Sequence, residues 1–145
     1  MAAINRHAQA TWEGEFRTGK GTVTTDSGAL MNTPVAFAMR FENAPGTNPE
    51  ELIAAAHAVC YCMSLSNQLG KKGHPPRQIT ARTTVTLDPQ QPGGSKITRS
   101  RLEVTADVPG LDNEAFRAIA QDAERACPVS NALRAIEIEL DARLA

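Results

Sequence analysis

The chain has 145 residues, with 15 lysines and arginines against 16 aspartates and glutamates and a formal net charge of −1; with no block of either sign, nucleic acid and acidic membrane surfaces are not expected partners. No secretory leader pattern and no apolar run of the roughly 18 residues that span a membrane is visible. The length suits a single domain, 1–145, with a real core, and three cysteines, an odd number, suit a cytoplasmic protein with reduced thiols rather than a secreted disulfide framework.

In chain order, Gln9 to Phe16 predicts a strand, Gly19 and Gly21 a turn, and Thr22 to Thr25 a second strand that returns beside the first. Asp26-Ser27-Gly28 is another turn signal. Val35 to Phe41 then alternates, with Val35, Phe37, Met39 and Phe41 on one face and Ala36, Ala38 and Arg40 on the other, which predicts a third strand. Asn43 to Thr47 is a loop.

A long helix follows, from about Pro49 to Leu69. Pro is favoured at the first helical position because its missing N–H would be unpaired there anyway. That puts Asn48 at the N-cap and Glu51 at the third position, where it can reach back as in a capping box. Glu50 is then the carboxylate not needed for capping. From Leu52 to Met63 the helix carries no charge and is apolar almost all round, which predicts burial on most faces. Gly70 and Gly73 stop it, with Lys71 and Lys72 at the negative end of the dipole.

Gln78 to Leu87 and Ile97 to Val108 predict a second hairpin across a loop rich in Pro and Gly. Asp112 or Asn113 caps a second helix that shows Phe116, Ile119, Ala120 and Ala123 on one face. Cys127-Pro128 interrupts it, and Pro128 opens a short helix through Leu133. Ala135 to Leu144 is a last strand, with Ile136, Ile138 and Leu140 on one side and Glu137, Glu139 and Asp141 on the other. The expected class is α+β with antiparallel sheet.

The chemistry-bearing residues are few. Cys60 lies about three turns into the long helix, too far from its N-terminus for the dipole to act. Burial alone leaves a thiol inert, so an active Cys60 needs a cation brought to it. Arg40 is the best candidate, because a guanidinium stays charged when buried and offers several donors; Arg17, near the first hairpin turn, is another cation. Glu50 can hold such an arginine: at about 100° per residue it falls roughly 80° from Cys60 around the helix, with Glu51 on the opposite side. Cys127 caps the short helix, where sulfur meets free N–H groups, a setting that activates thiols. Two such thiols suit a peroxidatic and resolving pair, in which a sulfenic acid condenses with the second thiol; two structural cysteines are the competing reading.

Thr47-Asn48-Pro49-Glu50-Glu51-Leu52-Ile53-Ala54-Ala55-Ala56-His57-Ala58-Val59-Cys60 and Ala126-Cys127-Pro128-Val129-Ser130 resemble the two signatures of the OsmC/Ohr family of thiol-dependent peroxidases. Trp12-Glu13-Gly14, Gly19-Lys20-Gly21-Thr22 and Arg40-Phe41 are similar to its OsmC branch, and the resemblance runs from about Gln9 to the C-terminus. It implies an intertwined homodimer, with antiparallel sheets wrapped around two long central helices and two active sites at the interface. It implies reduction of organic hydroperoxides, and of hydrogen peroxide less well, in oxidative or osmotic stress defence. Cys60 would be the peroxidatic nucleophile and Cys127 the resolving cysteine, with Arg40 activating the thiolate and Glu50 positioning Arg40. No metal or bound organic cofactor is implied. Reduction would come from an external dithiol, such as the dihydrolipoamide of a lipoylated protein. Phe37, Met39, Phe41, Tyr61 and Met63 are available to line an apolar substrate pocket.

Cys62 lies where the family usually has a serine or another small residue. Two helical positions turn about 200°, so it faces away from Cys60 and reads as a core residue. Two other functions compete. His57 and Cys60, three apart on one helical face, would hold a metal with Cys127, or the same fold would serve as a non-enzymatic stress-induced binding module.

Overall fold

The computed structural model describes residues 1–145, and the chain forms two compact units, Met1–Pro49 and Glu50–Ala145.

The first unit is a three-stranded antiparallel sheet, ordered β1 (Ala8–Glu13), β2 (Lys20–Thr25) and β3 (Thr33–Ala36). The hairpin expected between the first two strands is present, but its turn lies earlier than Gly19 and Gly21 suggested. Glu15 organises it: the carboxylate accepts from the N–H groups of Arg17 and Thr18 at 3.1 and 2.9 Å, and the Glu15 carbonyl accepts from Gly19 N–H at 2.8 Å. Gly21 sits inside β2, where the Trp12 ring crosses it so closely that an added Cβ would lie 2.9 Å from the ring.

The third predicted strand is a correction. Only Thr33–Ala36 is extended; Phe37–Phe41 forms a one-turn helix, α1, and Arg40 lies on that helix. The alternation that suggested a strand has a second solution, because Phe37 and Phe41 are also four apart and so meet on one helical face. Their rings stack at 4.7 Å, and Phe16 meets Phe37 edge-on at 5.1 Å. Met39 turns instead against Gly46, whose φ of +145° and close approach to the methionine sulfur suit only glycine.

The second unit opens with α2 (Pro49–Lys71), followed by β4 (Gln78–Asp88), β5 (Lys96–Asp107), α3 (Asn113–Ala126), α4 (Pro128–Ala132) and β6 (Glu137–Leu144). Helix α2 runs through Gly70 and ends where Gly73 takes φ +80°, with His74 N–H donating back to Leu69 O at 2.9 Å. Asp112 caps α3 by accepting from Ala115 N–H at 2.8 Å.

Strand order in this sheet is β4, β5, β6. The pairing of β4 with β5 is antiparallel, as expected, but β5 and β6 are parallel. That corrects the all-antiparallel expectation. The cause is the connection: α3 and α4 carry the chain back to the start of β5 before β6 begins, and such a helical crossover delivers a parallel partner.

One face of the sheet is apolar in register, with Leu102 beside Leu140, Val104 beside Ala142 and Ala106 beside Leu144. These meet Tyr61, Leu65 and Leu69 of α2 and Phe116, Ile119, Ala120 and Ala123 of α3, all buried. The other face carries charge, where Glu139 takes Arg99 at 3.2 Å and Arg101 at 3.0 Å. Burial of α2 is narrower than its composition suggested. Glu50, His57, Tyr61, Leu65 and Leu69 are buried, while Ala55, Ala56, Val59 and Met63 are exposed.

Candidate active site

Four residues of α2, His57, Cys60, Tyr61 and Ser64, fall on one face of the helix at the 0, 3, 4, 7 spacing. Each of them touches the stretch from the second half of α3 into α4. Tyr61 donates its hydroxyl to Ala120 O at 2.9 Å, and Ser64 donates to Ala123 O at 2.7 Å. The Ala123 carbonyl is open to this bond because α3 ends in a tighter turn, in which Cys127 N–H donates to Glu124 O at 3.3 Å. Cys60 Sγ and Cys127 Sγ lie 3.2 Å apart, both as free thiols.

Cys127 is fully buried and caps α4, its sulfur accepting from Ser130 N–H at 3.5 Å. Pro128 opens that helix as expected, and the helix ends at Ala132. From outside, Arg134 spans the α3–α4 junction, with Nη1 on the Glu124 carboxylate at 2.6 Å and Nη2 on Asn131 Oδ1 at 3.4 Å. Asn131 in turn donates to Arg125 O at 3.1 Å.

The fourth contact of the stripe was not visible in the sequence. His57 places Nδ1 2.7 Å from Ser100 Oγ on β5 and Nε2 2.7 Å from Ser130 Oγ on α4, and all three side chains are fully buried. These bonds span 43 and 73 residues, so nothing local announces them. The one trace is spacing: His57 precedes Cys60 by three positions, and Ser130 follows Cys127 by three. Burial holds the His57 pKa below its ordinary value. A neutral ring donates at one nitrogen and accepts at the other, which suits two hydroxyl partners. With both nitrogens so engaged, the ring offers no lone pair to a metal shared with Cys60 and Cys127, against the metal reading.

Burial also pushes the Cys60 thiol up, partly opposed by the Val129 backbone N–H, with the Cys127 sulfur adding to the upward shift. Cys62 turns away from the pair, as its angular offset predicted, toward the backbone of Ala81 on β4. It is half-buried rather than in the core, and it borders a groove of about 540 Å³ lined by Met63, Ser66, Pro76 and Ile79. Tyr61, considered for a substrate pocket, belongs to the core.

Glu50 is buried in the first turn of α2. In the other unit, both candidate arginines rest on the same aromatic cluster. The Arg17 guanidinium lies 5.1 Å above the Phe37 ring, and that of Arg40 5.3 Å from the Phe41 ring.

The family described as OsmC-like protein matches residues 41–141. The chain is 48% identical over 141 residues to the peroxiredoxin OsmC of Escherichia coli strain K12, covering 97% of each. The chain belongs to the OsmC family. The names of its OsmC relatives are those of thiol-dependent peroxidases with antioxidant roles. It is also 31% identical over 129 residues to the organic hydroperoxide resistance protein of Xanthomonas axonopodis pv. citri, covering 88% of this chain and 85% of the relative. The crystal structure of the organic hydroperoxide resistance protein OhrB of Bacillus subtilis superposes with a TM-score of 0.71 at 27% identity, over 96% of this chain and 98% of that one. OsmC chains are thus matched here in sequence across both units and in the α+β fold. No helix of the chain is long and apolar enough to cross a membrane.

Proposed function

We propose that this chain reduces organic hydroperoxides, and hydrogen peroxide less well, by a two-cysteine cycle. The observation that carries the reading is the 3.2 Å separation of the Cys60 and Cys127 sulfurs. The Cys60 thiolate attacks the terminal oxygen of the hydroperoxide. The O–O bond breaks, Cys60 becomes a sulfenic acid and the alkoxide leaves as an alcohol after taking a proton. Cys127 then attacks the sulfenic sulfur, an S–S bond forms and water departs. An external dithiol returns both thiols and is itself oxidised to a disulfide. Dihydrolipoamide, free or on a lipoylated protein, has the right chemistry.

The half-buried Cys60 needs a cation to ionise, because its surroundings favour the neutral thiol. Arg40 supplies that charge and polarises the peroxide, and the buried Glu50 holds Arg40 in place. The two compact units act as one domain over 1–145, and two copies pair through α2, burying the apolar stripe that includes Val59 and Met63, 62% and 69% exposed in the single chain. The active sites then sit at that interface, in a cytoplasmic enzyme of oxidative or osmotic stress defence. Steady-state turnover of cumene hydroperoxide with dihydrolipoamide as reductant tests the reading. Turnover that exceeds that with hydrogen peroxide and vanishes in Cys60→Ser supports it; a Cys60→Ser variant as active as the native chain overturns it.

A further inference from the structure

The Ser100–His57–Ser130 bridge is a second tie between the two segments that carry the thiols. Cys60 and Cys127 join α2 to the start of α4 directly. One helical turn earlier on α2 and one turn later on the other segment, His57 and Ser130 join the same two segments again at 2.7 Å. Ser130 is the joint, because its backbone N–H points at Cys127 Sγ and its hydroxyl meets the His57 ring. Helix α4 has only five residues, too short to hold its own geometry without tertiary contacts. Ser100 fixes the ring from the far nitrogen, and full burial keeps water from competing for either bond.

The sulfur–sulfur contact cannot keep the register during the reaction, since Cys60 carries an extra oxygen once it is oxidised. The histidine bridge is untouched by that change. We infer that His57 is a positioning residue for the resolving step: with its ring held by Ser100, it anchors Ser130 and the start of α4 so that Cys127 stays within bonding distance of the Cys60 sulfenic acid. A displacement of about 1 Å from attack geometry can cost about 100-fold in rate, so loss of the anchor slows resolution far more than peroxide reduction at Cys60, which α4 reaches through the Val129 N–H. This rests on the two-cysteine reading proposed above.

The test separates the two steps in the full-length, reduced protein. One equivalent of cumene hydroperoxide is added by rapid mixing. Peroxide loss reports the first step, and alkylation at timed intervals followed by mass spectrometry reports disulfide formation. Four variants are compared. Asparagine places its amide near the position of the ring Nδ1, and glutamine near that of Nε2. His57→Gln therefore keeps the reach to Ser130, whereas His57→Asn and Ser130→Ala lose that contact. Ser100→Ala removes a bond of equal length from the other side of the ring.

The expected result is peroxide loss slowed by less than a few-fold, with disulfide formation slowed about 10- to 100-fold in Ser130→Ala and His57→Asn, less in Ser100→Ala, and close to native in His57→Gln. Disulfide formation at the native rate in Ser130→Ala would overturn the inference alone. So would equal slowing in the two serine variants in proportion to lost thermal stability, which marks a merely structural bond. If the histidine variants do not fold, the serine pair still decides. If the native chain forms no disulfide, the two-cysteine reading fails and the inference with it.

Discussion

The sulfur atoms of Cys60 and Cys127 lie 3.2 Å apart although 67 positions separate them in the chain. A disulfide needs about 2.05 Å, so the pair closes by moving about 1 Å. Oxidation should therefore proceed without large rearrangement. Cys127→Ser is expected to stop the cycle at the sulfenic acid, which excess peroxide carries on to sulfinic acid. Intact mass after graded peroxide addition checks this; a Cys127→Ser protein that returns to the thiol as fast as the native chain would contradict it.

Burial pushes the Cys60 thiol up, and in the proposed cycle a cation offsets this. Arg40→Ala is expected to lower the second-order rate constant with cumene hydroperoxide by about 100- to 1,000-fold, the usual scale for losing one preorganised charge-stabilising group. Arg17→Ala should cost much less. Both arginines rest on the Phe37–Phe41 stack, so both substitutions disturb the same aromatic cluster and their difference isolates the electrostatic part. The opposite ranking would move the activating role to Arg17.

The exposed apolar stripe of α2 predicts a dimer. Met63→Glu places a charge on that stripe, where it would be desolvated on pairing. Sedimentation velocity should find the native chain dimeric and this variant largely monomeric, with peroxidase activity falling in step. A native monomer with full activity would remove the interface from the account.

His57 sets a pH dependence of stability. Its folded pKa lies below the ordinary value of 6.5 because burial disfavours the charged ring, with Glu124 pulling up and Arg134 down. Below about pH 6.5 the unfolded chain takes a proton that the folded chain refuses. The contribution is thus complete above that pH and is lost progressively as pH falls toward the folded value. Urea unfolding between pH 7.5 and about pH 5 should show this decline. His57→Gln, which cannot titrate, should show a shallower one. Equal slopes in the two proteins would place the acid sensitivity elsewhere.

Much of the fold was legible because local and global signals agreed. Asp112 caps α3, and its 3.6-residue periodicity named Phe116, Ile119, Ala120 and Ala123, all of which are buried. Pro128 after Cys127 fixed the start of α4 and made the sulfur a cap. Two elements were misread for physical reasons. Phe37 and Phe41 fit both the strand and the helix period, and ring stacking decided for the helix. The direction of β6 depends on where α3 and α4 return the chain, which side-chain alternation does not encode. The pairing of Cys60 with Cys127 was one of two readings of the residues until the resemblance favoured it, and the Ser100–His57–Ser130 bridge did not enter at all, because its bonds join three elements distant in sequence.

The most direct test of the central claim is a map of the oxidised product. Reduced native protein is mixed with one equivalent of cumene hydroperoxide, quenched after seconds in one sample and after hours in another, alkylated and digested without reductant. A Cys60–Cys127 disulfide as the main product, with Cys62 alkylated, is the result this account predicts. Both thiols alkylated after the peroxide has had hours to react, or a disulfide that includes Cys62 instead, would contradict it.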